Sequence, residues 1–117
     1  MNKLLLALPL ALFAATPGHA TGGLVCSTAG ANPTVVSLVV GHTAVPSIVS
    51  ARLVDNGRPV PVKVAQSWLD ASEFRLDLTD RNALRHELRI RARASGRFYD
   101  GSLWRHGKRR WVRCREG

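Results

Sequence analysis

Cys26 and Cys114 are the only cysteines of the chain, and they stand near the two ends of everything that follows an apolar leader. Met1-Asn2-Lys3 opens that leader with a single charge, and Leu4 to Ala15 is a 12-residue apolar run interrupted only by Pro9. Thr16-Pro17-Gly18-His19-Ala20 closes it with a turn and small residues, the three-part pattern of a secretory signal peptide. The expected cleavage follows Ala20 and leaves a mature chain from Thr21. The apolar run is shorter than the ~20 residues a membrane-spanning helix needs, and no later stretch approaches that length. A lipid-anchored form on Cys26 is disfavoured, because Gly23-Leu24-Val25 puts no small residue directly before the cysteine. The reading is therefore a periplasmic or secreted protein whose Cys26 and Cys114 form a disulfide in an oxidising compartment. No Cys-x-x-Cys is present, which argues against a redox role.

Residues 21–117 make one domain. A chain of this size buries only about two-thirds of its unfolded surface, so a bridge closing nearly the whole length matters to its stability. The positive charge is unevenly spread. Residues 21–80 carry four basic groups (Arg52, Arg58, Lys63, Arg75) and five acids, whereas residues 81–117 carry 12 basic groups and three acids. Such asymmetry points to an anionic envelope component (glycolipid, polysaccharide or nucleic acid) or an acidic protein. Its bland counterpart is a set of solvated strand faces in an arginine-rich chain, with 14 arginines to three lysines.

Thr21 to Pro33 reads as an irregular lead-in rich in Gly, Ala, Ser and Thr. Thr34 to Val40 is a β-branched run stopped by Gly41, a strand by composition. Ser47 to Val54 is a second, leading into Asp55-Asn56-Gly57-Arg58, where Asn-Gly is a strong hairpin signal. The return arm Pro59 to Val64 holds two prolines that cannot donate ladder hydrogen bonds, which predicts an edge strand. Glu73 to Thr79 alternates, with Phe74, Leu76 and Leu78 on one face. Residues 81–94 fit either a helix or a strand. A helix would stack Arg81, Arg85, Arg89 and Arg93 as like charges, so a strand with Leu88, Ile90, Ala92 and Ala94 on one face is favoured. A last hairpin runs from Phe98 to Trp104, turns at Arg105-His106-Gly107-Lys108, and returns from Arg109 to Arg115. The whole predicts an all-β protein, a small antiparallel barrel or sandwich of about six to eight strands closed by one disulfide.

If Trp104 stands opposite Arg109, then Tyr99, Gly101, Leu103, Val112 and Cys114 share a core face. Phe98, Asp100, Ser102, Trp104, Arg109, Trp111 and Arg113 share the other, joined by Arg89, Arg91 and Arg93 from the preceding strand. Same-face residues on a strand lie about 6.6 Å apart. Indoles offer stacking platforms and guanidinium groups grip phosphate or carboxylate in pairs. Arg89, Arg91, Arg93, Trp104, Arg109, Trp111 and Arg113 are thus the candidate ligand-binding residues, and a one-residue change of register would scatter them.

Ser95-Gly96-Arg97-Phe98-Tyr99 carries a Ser-Gly-x-x-Tyr pattern, followed by Trp104, Gly107 and the near-terminal Cys114. This resembles the periplasmic and membrane-bound inhibitors of c-type lysozyme, small exported antiparallel β-barrels closed by a disulfide. The resemblance implies a loop containing Ser95, Gly96 and Tyr99 that enters the lysozyme cleft, with Ser95 and Tyr99 as its contact residues.

Chemistry of other kinds finds little footing. His42, His86 and His106 lack close metal-ligand spacing. Asp70 with Glu73, and Asp77 with Asp80, are nearby carboxylates without a further catalytic partner. The serines lack a Gly-x-Ser-x-Gly elbow. The expectation is a non-catalytic binding protein without metal or cofactor, engaging an anionic partner through the C-terminal arginine–tryptophan face. A lysozyme inhibitor and a structural envelope protein without a ligand are the competing readings.

Overall fold

The computed structural model describes residues 21–42 and 46–117; the leader expected at residues 1–20 and its cleavage after Ala20 lie outside them. Nine strands are formed: β1 (Thr21–Thr28), β2 (Thr34–His42), β3 (Pro46–Asp55), β4 (Arg58–Val60), β5 (Lys63–Leu69), β6 (Glu73–Thr79), β7 (His86–Ser95), β8 (Phe98–Arg105) and β9 (Lys108–Glu116). They make one antiparallel sheet in the order β4-β3-β2-β1-β9-β8-β7-β6-β5. The sheet curls into a half-barrel, so that β3 and β5 touch without pairing. The fold class is the expected one, with more strands than anticipated.

The order divides into two meanders, β1–β4 and β5–β9, each built from neighbouring hairpins. They pair strand to strand only where β1 meets β9, through Leu24↔Glu116, Cys26↔Cys114 and Thr28↔Val112. Cys26 and Cys114 are bonded across that seam, 88 residues apart in sequence. Closing a loop of this length removes unfolded-state entropy worth about 4.6 kcal/mol in the chain-entropy account. The disulfide, and the lack of any described helix long and apolar enough to cross a membrane, are both compatible with an exported chain.

The seam corrects one expectation. Residues 21–28 are a central strand and not an irregular lead-in. Leu24, Cys26 and Thr28 point inward and are buried, so the segment alternates as a half-buried strand should. Gly22 and Gly23 hid that period, having no side chain to show it. Pro59 to Val64 lies at sheet edges as expected, but it is not one strand. Pro61, which has no N–H to give a ladder, splits this arm into β4 and the start of β5, which lie at opposite edges of the sheet. Residues 81–85 are a turn held by Asp80, whose Oδ1 accepts from the N–H groups of Leu84 and Arg85, both at 2.7 Å. The strand begins only at His86.

The core lies inside the curl. Val36, Leu38, Val40 and Leu53 come from the first meander, and Phe74, Leu76, Leu78, Leu88, Ile90, Leu103 and Val112 from the second. The Asn-Gly hairpin forms as expected, with Asn56 at φ 53° and Gly57 at φ 79°, the conformation that a tight two-residue hairpin turn requires. One end of the half-barrel is fastened by polar groups. Arg105 donates to Asp55 Oδ2 at 2.7 Å and to Glu87 Oε1 at 2.8 Å. Arg110 donates to Thr34 Oγ1 at 3.2 Å and to the carbonyl of Ala29 at 3.1 Å. The contact between Arg105 and Asp55 ties the two meanders together outside the β1–β9 seam.

Gly101 sits between Ala92 and Val112 on the core side. A Cβ there would run into the carbonyl oxygen of Arg91 and come 2.6 Å from the Cα of Ala92. Both obstacles are backbone and cannot turn aside. Gly101→Ala is expected to destabilise the protein by about 3 kcal/mol, read as a lower urea midpoint. A change below about 0.5 kcal/mol would mean that the strands separate there without cost.

Candidate functional site: the outer face of the second meander

The register between β8 and β9 is the one the sequence reading assumed. Trp104 faces Arg109, Ser102 faces Trp111, and Asp100 faces Arg113. On the other side of β8, Arg89 faces Trp104, Arg91 faces Ser102, and Arg93 faces Asp100. All seven candidate residues, Arg89, Arg91, Arg93, Trp104, Arg109, Trp111 and Arg113, therefore lie on the outer face of three adjacent strands. Their inward neighbours Leu103, Val112 and Cys114 are fully buried. Trp111 is 57% exposed, while Trp104 is half-buried.

The arginines are not equally free. Asp77, on the outer face of β6, accepts from Arg89 at 2.9 Å through Oδ1 and from Arg91 at 3.2 Å through Oδ2. Burial pushes its carboxyl up, but the hydrogen bonds from Arg91 and Arg89 outweigh that and hold it below its ordinary range. Asp100 accepts from Arg113 at 2.7 and 2.9 Å, a two-point pair, and that bond lowers its pKa. The Arg113 guanidinium also lies 4.3 Å from the centre of the Phe98 ring. Among the described residues, Arg93 and Arg109 have no carboxylate within ion-pair distance. The Asp100–Arg113 pair follows from the hairpin register that the sequence suggested, whereas the pairs of Asp77 could not be foreseen, because it reaches its partners only through the register of β6 on β7, Asp77↔Arg89.

Two residues of the same face were missed altogether. Trp68 on β5 faces Arg75 on β6, and Arg75 faces Arg91. Trp68 is 50% exposed, and its indole N–H donates to Asp70 Oδ2 at 2.8 Å. Arg75 lies against the ring, 5.6 Å from its centre. The signal was an aromatic on a strand beside a turn, and without the pairing of β5 its face was unreadable. Asp70 itself is a turn group. Its carboxylate accepts from the backbone N–H of Ser72, from Trp68 and from the N–H of Glu73, which hold its pKa well below the ordinary carboxylate range.

The Ser-Gly-x-x-Tyr segment lies elsewhere. Ser95 ends β7, Gly96 takes φ 62° in the turn, and Tyr99 is on the core side of β8. The Tyr99 hydroxyl donates to the carbonyl of Asp70 at 2.5 Å, and burial raises its pKa. Ser95 and Arg97 are exposed. The hairpin stands at the rim of a cavity of about 820 Å³ in the open end of the half-barrel, lined among others by Leu24, Val40, Leu69, Phe98 and Tyr99. Comparison with known proteins finds no matching family model, no similar curated protein and no similar solved structure.

The paired carboxylates make the fold acid-sensitive in a defined direction. Asp55 and Glu87, held down by hydrogen bonds from Arg105, join Asp77 and Asp100 in titrating below their ordinary values. A carboxylate with a depressed folded pKa stabilises the fold above its unfolded pKa and loses that contribution as pH falls through the folded value. The urea midpoint is therefore expected to stay level from pH 7 to about 5 and to fall progressively below about pH 4. In Asp77→Asn the fall should be shallower than in the parent; equal slopes would show that Asp77 gains nothing from its arginines.

Proposed function

We propose that the protein is a non-catalytic binder of an anionic partner and that the outer face of β7–β9 is its binding surface. The observation that carries this reading is that an exposed Trp111 shares one outer face with Arg93 and Arg109, the two arginines of the set without a carboxylate in ion-pair contact, which stand at opposite corners of that face. Trp104 and Ser102 lie between them on β8. A flat indole supplies stacking area, and the unpaired guanidinium groups attract charge at little desolvation cost. Arg89, Arg91 and Arg113 are already engaged, so they act as positioned hydrogen-bond donors more than as free charge.

This division changes the expected salt response. For a single-stranded phosphate polymer each engaged arginine contributes about 0.7 to the log–log slope of affinity against salt, so five would give about −3.5 and two about −1.4. Asp100→Asn, which releases Arg113, is expected to tighten binding and steepen the slope towards about −2.1. Trp111→Ala should cost about 1–3 kcal/mol of binding. The measurement is retention of envelope polyanions on immobilised residues 21–117 under stepwise salt. Retention that ignores salt, or that survives Arg93→Glu with Arg109→Glu, would remove the proposal.

A second reading, inhibition of a c-type lysozyme, is favoured by one observation: the Gly96–Arg97 turn lines the mouth of the cavity, and Ser95 beside it is exposed. Tyr99 is turned inward and anchors the Asp70 turn, so Ser95 is the contact residue this reading leaves on the surface. Under it, Ser95→Ala abolishes inhibition of lysozyme in a turbidity assay while Arg93→Glu leaves inhibition intact. The opposite pattern would discard it.

A further inference from the structure

We infer that the binding face continues past β7 onto β6 and β5 as a cross-strand track, and that its ligand is an extended glycan carrying sparse negative charge. The inference rests on the outer face of β7–β9 being the binding surface, and it adds both a length and a ligand class.

The track follows from register. Trp68↔Arg75, Arg75↔Arg91, Arg91↔Ser102 and Ser102↔Trp111 are consecutive cross-strand partners. One row thus crosses five strands with an exposed tryptophan at each end. At about 4.8 Å between strands, the two indoles stand about 19 Å apart along the arc of the sheet. The Trp68 ring is held in place by the bond from its N–H to Asp70, so its orientation is set before any ligand arrives. Beside it is a shallow depression of about 290 Å³ lined by Gln66, Ser67, Trp68, Arg75, Asp77 and Arg91. Its polar groups both donate and accept hydrogen bonds.

The mixture of charges selects the ligand class. Arg75, Arg89, Arg91, Arg93, Arg109 and Arg113 share the outer face with Glu73, Asp77 and Asp100. A polyphosphate has a charge on every unit and would bring some of them against Asp77 or Asp100, an unfavourable juxtaposition. A glycan has hydroxyls that donate to those same carboxylates and accept from the guanidinium groups. Its occasional acidic sugar can meet Arg93 or Arg109, and the apolar faces of its rings can lie on Trp68 and Trp111. Guanidinium groups between two aromatic platforms, flanked by Asp77 in one neighbouring row and by Glu73 and Asp100 in the other, therefore suit a hydroxyl-rich chain better than a uniformly charged one.

The test uses disulfide-bonded residues 21–117 and three probes (a polygalacturonate with most of its carboxylates methyl-esterified, so that its charge is sparse, dextran and oligothymidylate), followed by intrinsic tryptophan fluorescence. Polygalacturonate is expected to bind most tightly, with oligothymidylate weaker by about tenfold or more. Trp68→Ala and Arg75→Ala, each outside β7–β9, are expected to weaken polygalacturonate binding by about tenfold, and Trp68→Phe by less. If both alanine variants bind as the parent does while Trp111→Ala does not, the track is wrong and the β7–β9 face stands. Oligothymidylate bound more tightly than polygalacturonate would overturn the ligand class. If Trp111→Ala and the paired Arg93→Glu, Arg109→Glu change are also silent, the face itself is wrong and the track falls with it.

Discussion

The architecture depends on the pairing of β1 with β9. Each meander is assembled from neighbouring hairpins and needs only short loops to form. Joining them requires strands separated by 88 residues to meet, and the entropy of closing such a loop grows with its length. Cys26 and Cys114 stand directly opposite each other at that junction, so the covalent bond lies where the chain is otherwise hardest to hold. The joint also decides whether the site exists in its present form. β9 carries Arg109, Trp111 and Arg113, and without β1 it would be an exposed edge, open to pairing with other chains.

The arginine surplus has two uses. Arg105 and Arg110 point into the half-barrel and fasten its end, the former against Asp55 and Glu87. In buried pairs of this kind desolvation offsets much of the attraction, but losing one partner is costly because it strands a charge. On the outside, Asp77 and Asp100 hold three arginines in fixed poses. Five of the 12 basic groups in residues 81–117 are thus committed to organising the sheet, and the charge left to meet a partner is smaller than composition implies.

Much of the second meander was legible in the sequence. The alternation of Phe74, Leu76 and Leu78, the row Leu88, Ile90 and Ala92, and the turn at His106-Gly107 are local signals. They set which side chains face out once one hairpin register is known. Three features were not legible. β1 shows only Leu24, Cys26 and Thr28 on its buried face, and its glycines mask the period. The division at Pro61 depends on which edge each half joins, a choice made by tertiary packing. Trp68 and Arg75 belong to the site only through the stacking of β5 and β6 on β7, and the ion pairs of Asp77 need that same register. Local periodicity assigns a face, whereas neighbours across a sheet are set by non-local pairing.

The outer face also depends on the side turned away from it. Gly101 is flanked along β8 by Asp100 and Ser102, which point outward, and it packs against the backbone of Arg91 and Ala92. Its missing side chain lets β7 and β8 approach closely on the concave side, and this permits the curl that arcs Arg91, Ser102 and Trp111 into one row. A larger residue would part the strands beneath the middle of that row and misalign Arg91 with Trp111. The alignment of the face and the packing of the core are consequently one property, fixed by a position that never meets a ligand.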